Sequence, residues 1–312
     1  MSLIVKSGTA ACITQWRELF AQHLPELKVQ WWDDPDIIPD EIRYALVWEP
    51  EAGRLASYKN LEIIFSSGAG IDHLLIDPSL PPAVPLVRMV TEETGQRMAE
   101  YVTWAVLSLH LRIDQALQQQ ERKVWHTYDI PRTAAQRRVG VMGLGGLGQS
   151  CAKMLANVGF QVSGWSRGRK KVGQVASYAG KDELAPFLSC CDILICLLPS
   201  TPETAGILNE ETLNLLPEGA GIINAGRGDH IIDQALLDAL DKGHVGAAIL
   251  DVFSEEPLSS YSPYWNHPKV IVTPHIAANP SRAARVSYVA DSITRHRRGE
   301  SLPNQYDLKR GY

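Results

Sequence analysis

The run Val139-Gly-Val-Met-Gly-Leu-Gly-Gly-Leu-Gly148 decides how this chain is read. Gly143, Gly145 and Gly148 stand at G-x-G-x-x-G spacing, a weak signal alone because glycine-rich turns are common. The flanks strengthen it. Residues 138–142 form an apolar, strand-like stretch, and the residues that follow place Leu147, Cys151, Leu155 and Val158 on one helical face. In that setting the first glycine permits a tight turn, and the second lets the backbone approach a pyrophosphate. The third lets helix and strand pack closely. The helix N-terminus adds N–H groups and a positive dipole end, and Gly146 and Leu147 join the glycines as cofactor-binding candidates. The alternative is an ordinary strand–turn–helix with no ligand.

The next strand is expected at 161–165, and the loop after it reads Ser166-Arg-Gly-Arg-Lys-Lys171. An NAD-binding unit usually places Asp or Glu about 20 residues beyond the glycines, to hold the ribose 2′-hydroxyl. Ser166 stands there instead, with Arg167, Arg169, Lys170 and Lys171 behind it. A carboxylate would repel a 2′-phosphate, whereas arginine offers it a planar, charged fork. NADPH is therefore preferred as cofactor, with NADH as the second option. A solvated basic loop without a ligand is the bland alternative.

Composition sets the outer bounds. The chain has 312 residues, enough for two domains, with 45% hydrophobic and 21% charged residues. A net charge of −5 argues against a general nucleic-acid partner. No apolar run approaches the roughly 20 residues of a transmembrane helix, so no membrane association is expected. The start Met-Ser-Leu-Ile-Val-Lys reads as a strand and lacks the features of a signal peptide. Five cysteines (Cys12, Cys151, Cys190, Cys191, Cys196) are odd in number and form no C-x-x-C pair. They read as buried thiols in a reducing compartment, the cytoplasm by default, and no metal site is expected.

From about residue 139 to 274, short apolar runs alternate with helical segments. Strands are expected at 138–142, 161–165, 192–198, 221–224, 247–252 and 270–273, with helices at 182–188 and 233–242. The second of these helices is expected to be capped by Asp233 and stopped at Gly243. Strands apolar on both faces and joined by helices indicate a parallel sheet covered on both sides. Earlier in the chain, strands are expected at 3–6, 45–48, 63–66 and 85–87, and a helix at 14–23. Two long helical stretches, 98–123 and 281–299, flank the cofactor domain and carry the chain into it and back. The boundaries expected are 1–100 with 282–312 for one domain and 101–281 for the inserted dinucleotide domain.

Three segments stand at expected strand ends, where an open α/β sheet places ligands. They are Asn224-Ala-Gly-Arg-Gly228, Asp251-Val-Phe-Ser-Glu-Glu-Pro257 and Thr273-Pro-His-Ile-Ala277. They bring an arginine, a carboxylate and a histidine to the nicotinamide end of the cofactor. That trio suits carbonyl reduction. A ketone accepting hydride builds negative charge on oxygen, which calls for a proton donor and a cation. Histidine donates or accepts a proton near neutral pH. A neighbouring carboxylate orients the imidazole and favours its protonated form. Arginine clamps a carboxylate and a carbonyl in one plane. Taken singly, each has a bland alternative: His275 as a packed strand-end histidine, Glu256 as a turn residue and Arg227 as a structural arginine.

In order and spacing these motifs resemble the D-isomer-specific 2-hydroxyacid dehydrogenases over essentially the whole chain. Within that family the resemblance is strongest to the glyoxylate/hydroxypyruvate reductase branch. It rests on Ala45-Leu-Val-Trp48-Glu-Pro, Ser67-Gly-Ala-Gly-Ile-Asp72, Glu93-Thr-Gly95 with Met98-Ala-Glu100-Tyr101, and the ending Arg310-Gly-Tyr312. It implies an α/β fold of two Rossmann/flavodoxin-like, doubly wound parallel-sheet domains, with the cofactor domain inserted into the substrate domain. It implies catalytic roles for Arg227 (which also binds the 2-oxo acid), His275 as acid/base and Glu256 as its tuner. Asp251 would meet the nicotinamide carboxamide, and Leu198, Pro199, Ala225 and Gly226 would border the cofactor. Backbone N–H groups at Ala69 and Gly70 would hold the substrate carboxylate, and a homodimer would form.

The sequence around Ala69 and Gly70 permits an anion-binding nest, though a plain glycine turn explains it too. Trp48 either closes over a small substrate or packs in the core. Arg88 either binds the carboxylate or forms a surface pair. Two departures stand out: Arg88-Met89-Val90-Thr91-Glu92 replaces the family's Asn-x-Pro segment, and Gly226 stands where the family often has alanine. The glycine is expected only to loosen its loop slightly. The expected activity is NADPH-preferring reduction of glyoxylate and hydroxypyruvate, with the two domains closing to exclude water. The alternative is a dinucleotide-sensing regulator on the same fold without turnover. A formate-type oxidation is disfavoured by the missing ribose carboxylate and by the different substrate loop.

Overall fold

A computed structural model of the chain describes residues 1–307, so the Arg310-Gly-Tyr312 ending lies outside the described residues. The chain divides into two compact units, Met1–Thr94 with the segment from Asn279 onward, and Gly95–Ala278.

The first unit is built on five parallel strands: β1 (Ser2–Lys6), β2 (Lys28–Trp31), β3 (Ile42–Val47), β4 (Ile63–Ser66) and β5 (Leu86–Val87). Their order is β2-β1-β3-β4-β5, that of the flavodoxin-like sheets. Alternation along each strand decides which side is buried against what. Leu3, Val5, Tyr44, Leu46, Ile63 and Phe65 pack on one face. Trp16 and Phe20 of helix Ile13–Ala21 cover them, together with Val286, Val289 and Ile293 of helix Arg282–Arg297. Ile4, Ala45, Val47 and Ile64 point the other way, against Leu55, Leu61 and Leu74. Removing a side chain such as Phe20 from water contributes about 1.5–3 kcal/mol. Ser281 caps the closing helix by accepting from the Ala284 N–H, while its own N–H and hydroxyl donate to Glu93.

The second unit carries seven parallel strands: β6 (Arg138–Met142), β7 (Gln161–Ser166), β8 (Ala176–Ala179), β9 (Ile193–Cys196), β10 (Ala220–Asn224), β11 (Val245–Leu250) and β12 (Val270–Val272). They lie in the order β12-β11-β10-β9-β6-β7-β8. The sheet grows one way from β6 to β8 and the other way from β9 to β12. The reversal between β6 and β9 is the switch point at which doubly wound sheets bind ligands. Val139, Val141, Ile193, Ile195, Ile223 and Ile249 bury one face beneath Cys151 and Leu155 of helix Gly146–Val158. Met142, Leu194, Cys196, Ile222, Ala248 and Leu250 bury the other, with Phe187, Leu236 and Leu240. Both units are thus the parallel, doubly covered sheets expected.

Several local expectations are corrected. β2 and β8 lie outside the strands expected from the sequence. The single helix expected over 98–123 is two, Glu92–His110 and Ile113–Glu121. They part at Arg112, whose φ of +56° cannot continue a right-handed helix. Val158 is 42% exposed, so the buried stripe of its helix ends at Leu155. Asp233 is the first helical residue and not the cap, and its carboxylate accepts from the Tyr264 hydroxyl at 2.9 Å. That helix stops at Gly243, φ +81°, as expected.

Candidate active site

Each segment singled out in the second unit follows the carboxyl end of a strand, so all of them lie along one edge of its sheet. The turn after β6 opens with Gly143, whose φ of +99° favours glycine and whose N–H donates to the Trp165 carbonyl at 2.8 Å. Gly148 sits on the helix that follows. A Cβ there would lie 1.8 Å from the Gly143 oxygen, so only glycine lets the helix start so close to the strand. A Cβ on Gly145 or Gly146 would meet nothing within 4 Å. Gly145 caps the helix with no side-chain hydrogen bond. Tight where the chain turns and open at the helix N-terminus, the run fits the approach of a pyrophosphate. Leu147 is half-buried, packed against the core beneath.

After β7, Ser166 is buried and its hydroxyl donates to the Gly168 carbonyl at 2.8 Å. Arg167 is exposed. Arg169 is already engaged, pairing with Glu183 and donating to the Ser177 carbonyl on the exposed surface. After β9, Leu198 is buried and Pro199 is exposed in the loop that follows.

Asn224, the last residue of β10, is fully buried and brackets the loop that follows. Its amide nitrogen donates to the Arg227 carbonyl at 2.8 Å, and its amide oxygen accepts from the Gly226 N–H at 3.1 Å. Ala225 and Gly226 are buried and Arg227 is half-buried, its guanidinium donating to the Gly226 carbonyl at 2.6 Å. A Cβ on Gly226 would come within 3.0 Å of the Leu198 oxygen and 3.1 Å of the His230 ring. The glycine there does more than loosen the loop: it makes room for a buried imidazole.

His275 and Glu256 meet. Nδ1 of His275 stands 2.7 Å from Oε2 of Glu256, and the other oxygen, Oε1, accepts from the Phe253 N–H at 2.9 Å. Burial pushes the Glu256 carboxyl up. The hydrogen bonds from His275 and Phe253, and the charges of His275 and Arg227, outweigh it and hold the carboxyl below its ordinary value. With Nδ1 committed to the carboxylate, proton chemistry falls to Nε2. Glu256 and His275 are therefore paired across two loops that follow separate strands, and the charge of Arg227 helps lower the same carboxyl.

His275 has the left-handed φ of +51°, unusual outside glycine. Asp251, 1% exposed, holds it there. Its backbone carbonyl accepts from the His275 N–H at 2.9 Å. Its Oδ1 accepts from the Thr273 hydroxyl at 2.6 Å and the Ile276 N–H at 2.9 Å, and its Oδ2 accepts from the Ala277 N–H at 2.9 Å. Burial pushes this carboxyl up against the pull of those hydrogen bonds. Thr273, donating to Asp251, accepts from the Tyr101 hydroxyl at 2.7 Å, and burial pushes that phenol well above its ordinary value. Sequence reasoning assigned no part to Thr273, Tyr101, Asn224 or His230. Polar residues beside Pro274 and within three positions of Arg227 are the available signal; Asn224 bonds within its own loop, whereas Thr273, Tyr101 and His230 each have a partner distant in the chain.

In the first unit, the remaining predicted residues follow β3, β4 and β5. Trp48 is half-buried and packs on His73 with ring centroids 4.2 Å apart and the planes tilted by 37°. Ser66 folds the next turn, donating from Oγ to the Gly70 carbonyl at 2.7 Å and accepting from the Gly68 N–H at 3.2 Å. Among the described residues, neither the Ala69 nor the Gly70 N–H has a protein acceptor, as an anion-binding nest requires. Arg88 forms no ion pair among the described residues, and its Nε is buried without a hydrogen-bond partner. The surface-pair reading of Arg88 is not what the structure shows.

Comparison with known proteins identifies the family. The family model for the NAD-binding domain of D-isomer specific 2-hydroxyacid dehydrogenases matches residues 103–277. A D-isomer specific 2-hydroxyacid dehydrogenase from Xanthobacter autotrophicus Py2, solved with NADPH and MES, is 39% identical, covering 100% of this chain and 99% of its own, with a TM-score of 0.93. An NADPH-dependent glyoxylate/hydroxypyruvate reductase from Sinorhizobium meliloti, solved with NADP and sulfate, is 36% identical over 100% and 99%, TM-score 0.92. A probable 2-hydroxyacid dehydrogenase from Rhizobium etli CFN 42, solved with NADP, HEPES and L(+)-tartaric acid, is 35% identical over 100% and 99%, TM-score 0.89. With a glycine turn at the switch point and a paired histidine and carboxylate on the same sheet edge, the chain belongs to the D-isomer specific 2-hydroxyacid dehydrogenases, a family of NAD(P)-dependent oxidoreductases.

Proposed function

We propose that the protein is an NADPH-preferring reductase of small 2-oxo acids, converting glyoxylate to glycolate and hydroxypyruvate to glycerate. The observation that carries this reading is the 2.7 Å pair of His275 Nδ1 and Glu256 Oε2, with the Arg227 charge acting on the same carboxylate. The glycine turn Gly143–Gly148, with Gly145, Gly146 and Leu147 at the helix start, would hold the pyrophosphate. Ser166 and Arg167 would hold the 2′-phosphate. Arg169 joins them by exchanging its exposed pair with Glu183, an interaction worth only about 0–1 kcal/mol. Leu198, Pro199, Ala225, Gly226 and Asp251 would border the nicotinamide. Bound there, NADPH supplies a hydride to the carbonyl carbon of the 2-oxo acid.

The residues of the chain then account for the remainder of the reaction. Arg227 binds the 2-oxo acid through its carboxylate and carbonyl. As the carbonyl oxygen gains charge, Nε2 of His275 delivers a proton to it, and the C=O group becomes CH–OH. Glu256 keeps the imidazole oriented and compensates its positive charge before transfer. The Ala69 and Gly70 amides and Arg88 serve the substrate carboxylate, with Trp48 shaping the space for a small side chain. The relatives solved with NADPH or NADP, one of them named a glyoxylate/hydroxypyruvate reductase, support this reading.

A second copy of this chain is the proposed partner. Trp104, Leu111, Leu117, Val124, Trp125 and Ile130 expose apolar surface within one 27-residue stretch, Trp125 at 98%. Sedimentation at micromolar concentration should show a homodimer, and a monomer would refute that. No helix among the described residues is long and apolar enough to cross a membrane. Five thiols without disulfides make the cytoplasm the proposed compartment.

A panel of glyoxylate, hydroxypyruvate and bulkier 2-oxo acids, each with NADPH and with NADH, tests the activity. Fastest turnover of the two small acids with NADPH is expected. No turnover with any 2-oxo acid would overturn the reading in favour of a dinucleotide sensor.

A further inference from the structure

We infer that His230 is a positioning residue for Arg227, its neutral imidazole locking the arginine's backbone to the turn at Pro199. The inference rests on the reading of Arg227 as the group that binds the 2-oxo acid. His230 lies in the short 3₁₀ turn after β10 and is fully buried. Its Nδ1 is 3.1 Å from the Arg227 N–H, and its Nε2 is 3.2 Å from the Pro199 carbonyl oxygen. An amide can only donate, so Nδ1 carries no proton. A carbonyl can only accept, so Nε2 carries one. Together the two contacts select the neutral Nε2–H tautomer, because an imidazolium would set one N–H against another.

The surrounding chain is built to keep this arrangement. Arg227 has both peptide groups held by buried side chains, the N–H by His230 and the carbonyl by Asn224 at 2.8 Å. Gly226 leaves space for the ring, since a Cβ there would sit 3.1 and 3.2 Å from its Cε1 and Nδ1. The two loops are tied again beside it. Ser200 donates to Asp229, the Gly206 N–H reaches the Asp229 carbonyl at 2.8 Å, and the Leu208 N–H reaches the His230 carbonyl at 2.8 Å. Burial pushes the ring's pKa down, but Cys196, the Pro199 carbonyl and Asp229, the last 3.9 Å from Nε2, outweigh it and raise the pKa to about 9. Against that pull, a proton on Nδ1 would meet the Arg227 N–H head-on, so this packing accepts the neutral ring. An arginine on a long side chain reaches a fixed point only if its Cα is fixed. His230 supplies that anchor, although it touches no reacting atom.

Two nearly isosteric variants separate positioning from bulk. His230→Asn keeps an acceptor near the Nδ1 position, whereas His230→Gln keeps a donor near the Nε2 position and leaves the Arg227 N–H without a partner. His230→Gln should lower kcat/KM for glyoxylate roughly tenfold to a hundredfold, mostly through KM, while NADPH affinity measured by fluorescence stays within about twofold. His230→Asn should recover most of that loss. In an Arg227→Ala background, His230→Gln should add almost nothing, since both substitutions remove the same contact. Multiplicative losses in that double-mutant cycle, or equal losses for Asn and Gln, would overturn the inference while leaving the proposed reaction standing. Absence of wild-type turnover on any 2-oxo acid would instead refute the reaction itself, and the inference with it.

Discussion

Glu256→Gln keeps the length of the side chain and removes its charge. In the wild type, Oε2 stands 2.7 Å from His275 Nδ1 and Oε1 accepts from the Phe253 N–H at 2.9 Å. The two side chains are 33% and 31% exposed, so solvent screens the pair only in part. A hydrogen bond to a charged group is worth about 1.5–3 kcal/mol net. The glutamine amide still offers an oxygen to one of the two donors, which places the expected loss in the lower part of that range. About 1.5–2 kcal/mol of transition-state stabilisation corresponds to a roughly 10- to 30-fold fall in kcat. The assay is steady-state NADPH oxidation with saturating glyoxylate, alongside NADPH binding by fluorescence. Binding should be unaffected, because no atom of Glu256 contributes to the glycine turn. A kcat within twofold of wild type would refute the argument that the carboxylate acts through His275.

The same carboxylate makes a prediction about stability and pH. Its folded-state pKa is lowered, so its contribution is present above the unfolded value and is lost as pH falls through the folded one. The difference in thermal stability between wild type and Glu256→Gln should therefore be flat from neutrality to about pH 4.5 and close below it; a gap that closes near neutrality would contradict this. Thr273→Val removes both the donor to Asp251 and the acceptor of Tyr101, and urea unfolding should show a loss of about 1–3 kcal/mol. An unchanged midpoint would mean the network does not hold the His275 turn. Arg167→Ala should raise the KM for NADPH about tenfold and that for NADH less than twofold, because only the former carries the 2′-phosphate. Equal effects on the two cofactors would remove Arg167 from that role.

What was legible in the sequence was whatever repeats locally. The β6 strand and its glycine turn announce themselves within ten residues, and the long apolar runs of β9, β10 and β11 mark a sheet buried on both faces. β2 was not legible because Lys28-Val-Gln-Trp31 mixes polar and apolar residues, and only the fold shows that Val29 and Gln30 are buried. β8 is a half-buried edge strand with little hydrophobic signal. The break at Arg112 leaves the apolar pattern of the flanking helices nearly continuous, and nothing in its side chain marks a left-handed backbone. Chemistry called for a carboxylate beside His275 and the family resemblance implied that it is Glu256, whereas neither pointed to the supports around the pair. Tyr101 lies 172 residues from Thr273, and Asp251 lies 22 residues from it. His230 stands three residues from Arg227, yet its part depends on a carbonyl 31 residues upstream. Contacts of that range are set by the sheet order, which brings β9, β10, β11 and β12 side by side.

The central claim is that Nε2 of His275 gives the proton that completes carbonyl reduction. His275→Gln retains a polar side chain beside Glu256 but has no titratable group. Single-turnover NADPH oxidation with glyoxylate, read with the NADPH dissociation constant of the same variant, isolates that step. The account predicts a fall of roughly 10²- to 10⁴-fold in the rate with NADPH affinity within about twofold of wild type. A variant that reduces glyoxylate at near wild-type rate would contradict it.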